Sequence, residues 1–145
     1  MPYKIELNAR GQIEMSPATN WHGYWRVEIG ALLRELLKRR GKAFSKASLD
    51  TPENVKVPDV VWASKEFLEH YGRGTPFPRA LEICVEIIPP SNTQLEIESR
   101  QKLYFSQGAH EVWLCNLEGK VTFFDRVGER EYSAITPNFS VQLEA

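Results

Sequence analysis

The sequence predicts an α/β (α+β) fold, a sandwich in which a mixed β-sheet is flanked by helices. Three observations predict it. Over residues 21–40, Trp25, Ile29, Leu32, Leu33, Leu36 and Leu37 recur at helical spacing, which marks one long amphipathic helix. Two short runs rich in β-branched residues, 55–61 and 81–88, read as buried strands. A second helical stretch over 93–107 follows them and precedes a remainder of β character. The order helix, three strands, helix, strands is that of layered α and β elements.

In chain order, residues 3–15 predict a small hairpin: Tyr3 to Leu7, a turn over Asn8-Ala9-Arg10-Gly11, and Gln12 to Met15. Pro17 and Asn20 signal the start of the first helix. Lys38, Arg39 and Arg40 complement its negative end, and Gly41 is expected as its stop. A strand is expected over 43–49, a turn over 51–54, and then the first of the two acid-bearing strands. Ser64 is placed to cap a short helix through Tyr71, and the two glycines and two prolines of 72–79 read as a loop. Pro89 to Asn92 ends the second acid-bearing strand, and Gly108 the second long helix. His110 to Asn116 and 120–126 form an antiparallel pair about a turn at Leu117-Glu118-Gly119. Two weaker strands are expected near 132–136 and 139–143, which gives a β-rich C-terminus.

The 145 residues suit one domain, 1–145, with 42% apolar and 26% charged residues, a composition of globular rather than disordered chains. The formal net charge of -1 provides no global field for nucleic acid, so a DNA partner has to be held by a local patch or through a metal. Cys84 and Cys115 both lie in apolar runs and are expected as buried free thiols, which sets a reducing cytoplasm as the default location. No apolar stretch approaches the roughly 18 residues that span a membrane, and none reads as a leader.

The chemistry is concentrated in two acids. Asp59 and Glu86 each sit in an apolar strand-like run, where a desolvated carboxylate is costly unless its charge is compensated. One shared partner serves both most simply, and hard divalent cations prefer carboxylate oxygens. Pro58 removes a ladder donor just before Asp59, which suits a place where the sheet opens.

Several of these segments together resemble the Uma2 family (DUF820). They are Pro58-Asp59, the strand carrying Glu86, Pro89-Pro90-Ser91-Asn92-Thr93, the helix ending in Lys102-Leu103-Tyr104-Phe105-Ser106-Gln107-Gly108-Ala109, and Glu111 to Cys115. Glu14-Met15-Ser16-Pro17 and His22-Gly23 fit as well. The resemblance covers roughly 5–125 and implies a PD-(D/E)XK, restriction-endonuclease-like fold: a Mg²⁺-dependent (or Mn²⁺-dependent) endonuclease acting on DNA, with a possible homodimer. It implies Asp59 and Glu86 as metal ligands and catalytic acids, the Ile87 carbonyl as a backbone ligand, and Glu28 as an outer or second-metal ligand. Glu82 falls where many relatives carry Asp.

The usual nuclease lysine two residues after the strand acid is Ile88 here. The helix position from which Uma2-like proteins supply a lysine instead is Arg100. A guanidinium does not lose its proton, so Arg100 suits charge stabilisation and not general-base work. Lys102 lies about 200° round the helix from it and faces elsewhere. The rival expectation is an impaired nuclease fold serving as a nucleic-acid or protein interaction module. Plain structural roles stand beside these functional ones. Asp59 is equally a turn acid held by backbone N–H groups, Glu28 an exposed helix residue, and His22 an N-terminal packing residue. Glu96 reads as the capping-box acid of its own helix, Glu98 and Lys102 as an i, i+4 surface pair, and Trp21 as a possible exposed stacking surface.

Overall fold

The computed structural model describes residues 3–7, 10, 13–17, 19–72 and 74–145; within the first two strands it describes the backbone and the Glu6 side chain. The hairpin is β1 (Tyr3–Leu7) against β2 (Ile13–Pro17), in antiparallel register. Of its turn, Asn8, Ala9, Gly11 and Gln12 lie outside the described residues, as do the side chains of Glu14 to Pro17.

Helix α1 spans Asn20–Leu37 and is capped by Thr19, whose side chain accepts from the His22 amide. Its buried face is His22, Trp25, Ile29, Leu33 and Leu37; of the expected apolar stripe, Leu32 is partly buried and Leu36 exposed. A 3₁₀ turn over Lys38–Arg40 carries the helical stretch to Gly41, which caps it as expected and also opens β3 (Gly41–Ser45). The reason for glycine is steric. Gly41 is extended, and a Cβ there would collide with the Ala63 carbonyl and the Trp62 ring.

The strand expected over 43–49 is divided by a bend at Lys46, beyond which β4 (Leu49–Thr51) pairs with β5 (Asn54–Lys56). Val57, Pro58 and Asp59 separate β5 from β6 (Val60–Ser64), because Pro58 has no amide to donate. Ser64 caps α2 (Lys65–Tyr71) as expected. Then come β7 (Ile83–Ile88), α3 (Gln94–Ser106), β8 (Glu111–Asn116), β9 (Val121–Phe124) and β10 (Glu129–Arg130).

Among the described residues six strands form one sheet in the order β10-β9-β8-β7-β6-β3. The β7–β8 pair, joined through α3, is parallel, and the other pairs are antiparallel. Alternation along the strands divides the core. Val60, Trp62, Ile83, Val85, Ile87, Trp113 and Cys115 pack against α1, whereas Val61, Ala63, Cys84 and Val112 pack with Tyr104 of α3. The Trp25 indole donates to the Leu117 carbonyl at 2.8 Å and ties α1 to the β8–β9 turn.

The two C-terminal strands expected near 132–136 and 139–143 do not form. The buried Glu111 carboxylate takes the Ser133 hydroxyl (2.6 Å), the Ala134 amide (2.9 Å), the Ile135 amide (3.2 Å) and the Trp113 indole (2.8 Å). Side chain–backbone bonds of this kind compete with a strand ladder. Phe139 and Leu143 are buried all the same, from an irregular segment. Glu111→Ala takes the acceptor from three donors, since the Ile135 amide also donates to the Ser133 oxygen. We expect a loss of roughly 3 kcal/mol, with a melting temperature lower by about 10 °C in a thermal denaturation scan.

Candidate active site

Asp59, just before β6, and Glu86 of β7 turn to different helices, Asp59 to His22 of α1 and Glu86 to Tyr104 and Arg100 of α3. The regular register ends at Val60↔Val85: the Asp59 amide donates at 3.1 Å to the carbonyl of Val85, the residue already paired with Val60. Beyond that point Pro58 leaves the edge of β7 without a backbone partner from β6. The Asp59 side chain fills the gap, with Oδ2 accepting the Ile87 amide at 2.8 Å. His22, from the first turn of α1, approaches from the other side, its Nε2 3.3 Å from Asp59 Oδ1. Asp59 is 1% exposed. Among the described residues the buried His22 Nδ1 has no hydrogen-bond partner.

Glu86 points towards α3. Its Oε1 accepts the Tyr104 hydroxyl at 3.0 Å, and its Oε2 lies 3.7 Å from Arg100 Nη1. Arg100 also donates to the Tyr104 oxygen at 3.3 Å. The main partner of Arg100 is Glu6 of β1, held in a two-pronged pair at 2.7 and 2.8 Å. Glu6 Oε2 accepts the Val57 amide as well, at 2.8 Å. One carboxylate thus fastens the N-terminal hairpin to α3 and to the segment leading to Asp59.

Burial works against the Arg100 charge, but Glu86 and Glu6 more than offset it and hold the guanidinium ionised. Burial, with the Glu86 charge adding to it, pushes the Tyr104 phenol well above its ordinary range, so the hydroxyl remains a donor. A cleft of about 320 Å³ opens beside this network, lined by Lys56, Glu86, Ile88, Glu96, Arg100 and Leu103 among others.

The structure therefore puts Glu86 and Arg100 in one network and Asp59 one strand away. The Ile87 amide and carbonyl both face the gap, since N–H and C=O of one residue leave an antiparallel strand on the same edge. Glu28 is half-buried on α1 and makes no hydrogen bond or ion pair among the described residues. Among the described residues, no three His, Cys, Asp or Glu side chains gather closely enough to hold a metal ion. Glu82 has a structural task, its Oε1 accepting the Ser64 amide at 2.9 Å. Glu96 completes the capping box with Thr93. Glu98 accepts from Gln94 at 3.3 Å and forms no ion pair with Lys102 among the described residues. Trp21 is 52% exposed and stacks on edge with Tyr24.

Sequence reasoning missed Glu6. Strand alternation gives it a face with Lys4, away from Ile5 and Leu7, which reads as a solvent face. Lys56, between two valines and 9% exposed, did carry a signal, since buried lysines are rare.

Both thiols are free and buried. Burial, with the Asp59 charge adding to it, pushes Cys115 up to about 12, from 9.0. The folded state holds this proton more tightly than the unfolded chain does. Its contribution to stability is complete below pH 9.0 and declines as the pH climbs towards about 12. We expect neither cysteine to react with a disulfide reagent at pH 8 before unfolding, and both to react after it. Rapid labelling of the native protein would contradict the burial.

The sequence matches the Uma2 family, described as "Putative restriction endonuclease", over residues 1–144. The fold is similar to a crystal structure described as a putative nuclease belonging to DUF820 from Anabaena variabilis ATCC 29413. The TM-score is 0.73 at 16% identity, over 91% of this chain and 83% of that one. No curated protein matches the chain. No helix among the described residues is long and apolar enough to cross a membrane.

Proposed function

Since this chain belongs to the Uma2 family, we propose that it is a divalent-cation-dependent endonuclease hydrolysing phosphodiester bonds in DNA, with Asp59, Glu86 and Arg100 as its working residues. The observation that carries this reading is that the Asp59 side chain spans the opening Pro58 leaves beside β7 and accepts the amide of Ile87, the residue next to Glu86. The donors suit Mg²⁺ or Mn²⁺, since such ions take one or two carboxylates and fill their remaining positions with water and substrate phosphate. Asp59, Glu86 and the Ile87 carbonyl would hold the ion, with Glu28 in an outer role. When bound, it supplies an acidified water and neutralises charge on the scissile phosphate.

The protein's own contributions follow from its contacts. Tyr104 orients Glu86 through its hydroxyl, and the Ile87 amide and His22 orient Asp59. Arg100 stabilises the negative charge that develops on phosphate oxygens and takes no proton, because a guanidinium stays ionised. In this reading residues 1–145 act as one cytoplasmic PD-(D/E)XK-like domain with DNA as partner, and a homodimer is its natural assembly on a two-stranded substrate.

One observation favours a second reading, a non-catalytic module for nucleic acid or protein. Arg100 is already saturated by Glu6 and faces Glu86 as well. Nicking of supercoiled plasmid in Mg²⁺ or Mn²⁺ separates the two. The endonuclease reading expects cutting by the wild type, abolished by chelation and by Glu86→Ala. Cutting that survives Glu86→Ala would belong to a contaminant, and a wild type inert in both metals would leave the module. Arg100→Lys is expected to cut faster than wild type at some cost in stability, because lysine can shed a proton but cannot make the two-pronged bond to Glu6.

A further inference from the structure

A second charged feature lies on the other side of the sheet from β10, along its edge strand β3. Arg34 of α1, Lys38 and Arg39 of the 3₁₀ turn, Lys42 of β3 and Lys65 of α2 line one groove of about 700 Å³, and no carboxylate lines it. Lys42, Phe44 and Leu68 are shared with an adjoining groove of about 690 Å³ that continues to Lys46 and contains one acid, Glu69. Among the described residues none of these six cations forms an ion pair.

Local structure accounts for only some of them. Cations at the end of α1 complement the helix dipole, and a lysine on an edge strand deters strand pairing. Lys65 has the opposite position: it opens α2 directly after the Ser64 cap, where a positive charge opposes the dipole. Like charges drawn from α1, the 3₁₀ turn, β3 and α2 into one concave surface repel one another, and this in a chain of formal net charge -1. Concave walls also focus their field outwards. From Lys42 to Lys46 the strand advances about 13 Å. There the Lys46 amide donates to the Asp59 carbonyl at 3.2 Å, so the basic track ends beside Asp59.

We propose that this track is the docking surface for the phosphodiester backbone of duplex DNA. It is the local patch that a chain without global positive charge requires. A linear, regularly spaced polyanion fits a row of unpaired cations in a groove better than a flat anionic lipid surface does. The further step, that the track leads the strand to Asp59, rests on the endonuclease reading; the docking does not.

The test is fluorescence anisotropy with a labelled 20-base-pair duplex in EDTA, over a series of KCl concentrations, using proteins whose folding is checked by circular dichroism. The triple variant Arg34→Gln, Lys42→Gln, Lys65→Gln should bind at least tenfold more weakly near 100 mM salt. It should also flatten the plot of log affinity against log salt by about 3, at roughly 0.9 per lost phosphate contact. The charge-matched triple Lys102→Gln, Lys120→Gln, Arg126→Gln should leave the slope unchanged. Equal losses in both triples, no loss in the first, or tighter capture of anionic lipid vesicles than of the duplex would each overturn the proposal. Because chelation removes any cutting, a chain that binds but never cleaves would overturn the endonuclease reading and leave the docking surface in place.

Discussion

Arg100→Ala is expected to be among the most destabilising single substitutions, lowering stability by about 3 kcal/mol and the melting temperature by about 10 °C. The guanidinium faces two carboxylates, Glu6 at 2.7 and 2.8 Å and Glu86 at 3.7 Å, and both acids are under 9% exposed. Removing it takes the guanidinium from both desolvated carboxylates, while the Tyr104 hydroxyl still links α3 to Glu86. The loss sits at the low end for a buried pair because the Arg100 side chain is itself 28% exposed and water can enter. Glu6→Gln should cost less, since Glu86 still balances the arginine. A double-mutant cycle in urea denaturation should return a coupling above 1 kcal/mol between the two positions. An Arg100→Ala protein within about 0.5 kcal/mol of wild type would mean that this contact behaves as an exposed surface pair.

Asp59→Asn is expected to separate structure from chemistry. Asparagine keeps an oxygen that can accept the Ile87 amide, so the gap left by Pro58 stays bridged, and stability should change by only about 1 kcal/mol. The negative charge is gone, and Mg²⁺-dependent nicking should fall by more than the 10- to 100-fold that loss of an outer metal partner costs. Asp59→Ala should lose activity too, while also stranding the Ile87 amide at a further cost of about 1–3 kcal/mol. If Asp59→Asn cuts plasmid as the wild type does, Asp59 is a backbone cap and the catalytic centre lies elsewhere. Measuring melting temperature and cleavage on the same two variants distinguishes these outcomes.

Signals local in sequence were legible. The helix marked by the stripe from Trp25 to Leu37, the Ser64 and Thr93 caps, and the Glu96 capping box each depend on residues within a turn or two of one another, and each formed as expected. The family resemblance singled out Arg100, and helical spacing turned Lys102 away from it. Where a local rule met a distant competitor, it failed. The segment after β10 has strand-forming residues, but Glu111 captures its amides from more than 20 positions away. Gly41 is the helix stop it looked like, but nothing in the sequence signals its second constraint, the backbone of Ala63 on the neighbouring strand.

The candidate site divides along the same line. Isolated carboxylates in apolar strands are visible in one dimension, because burying a charge is costly wherever it occurs, and that cost singled out Asp59 and Glu86. Nothing in one dimension says what meets them. Glu6 reaches Arg100 across 94 positions, His22 comes to Asp59 from another element, and the basic track gathers cations from α1, the 3₁₀ turn, β3 and α2. The sequence by itself determined which elements form and which acids needed a partner, since propensity, capping and desolvation act on neighbouring residues. Only the tertiary structure decided the partners, because pairing between charges depends on distance in space, and that distance is set by strand register and helix packing.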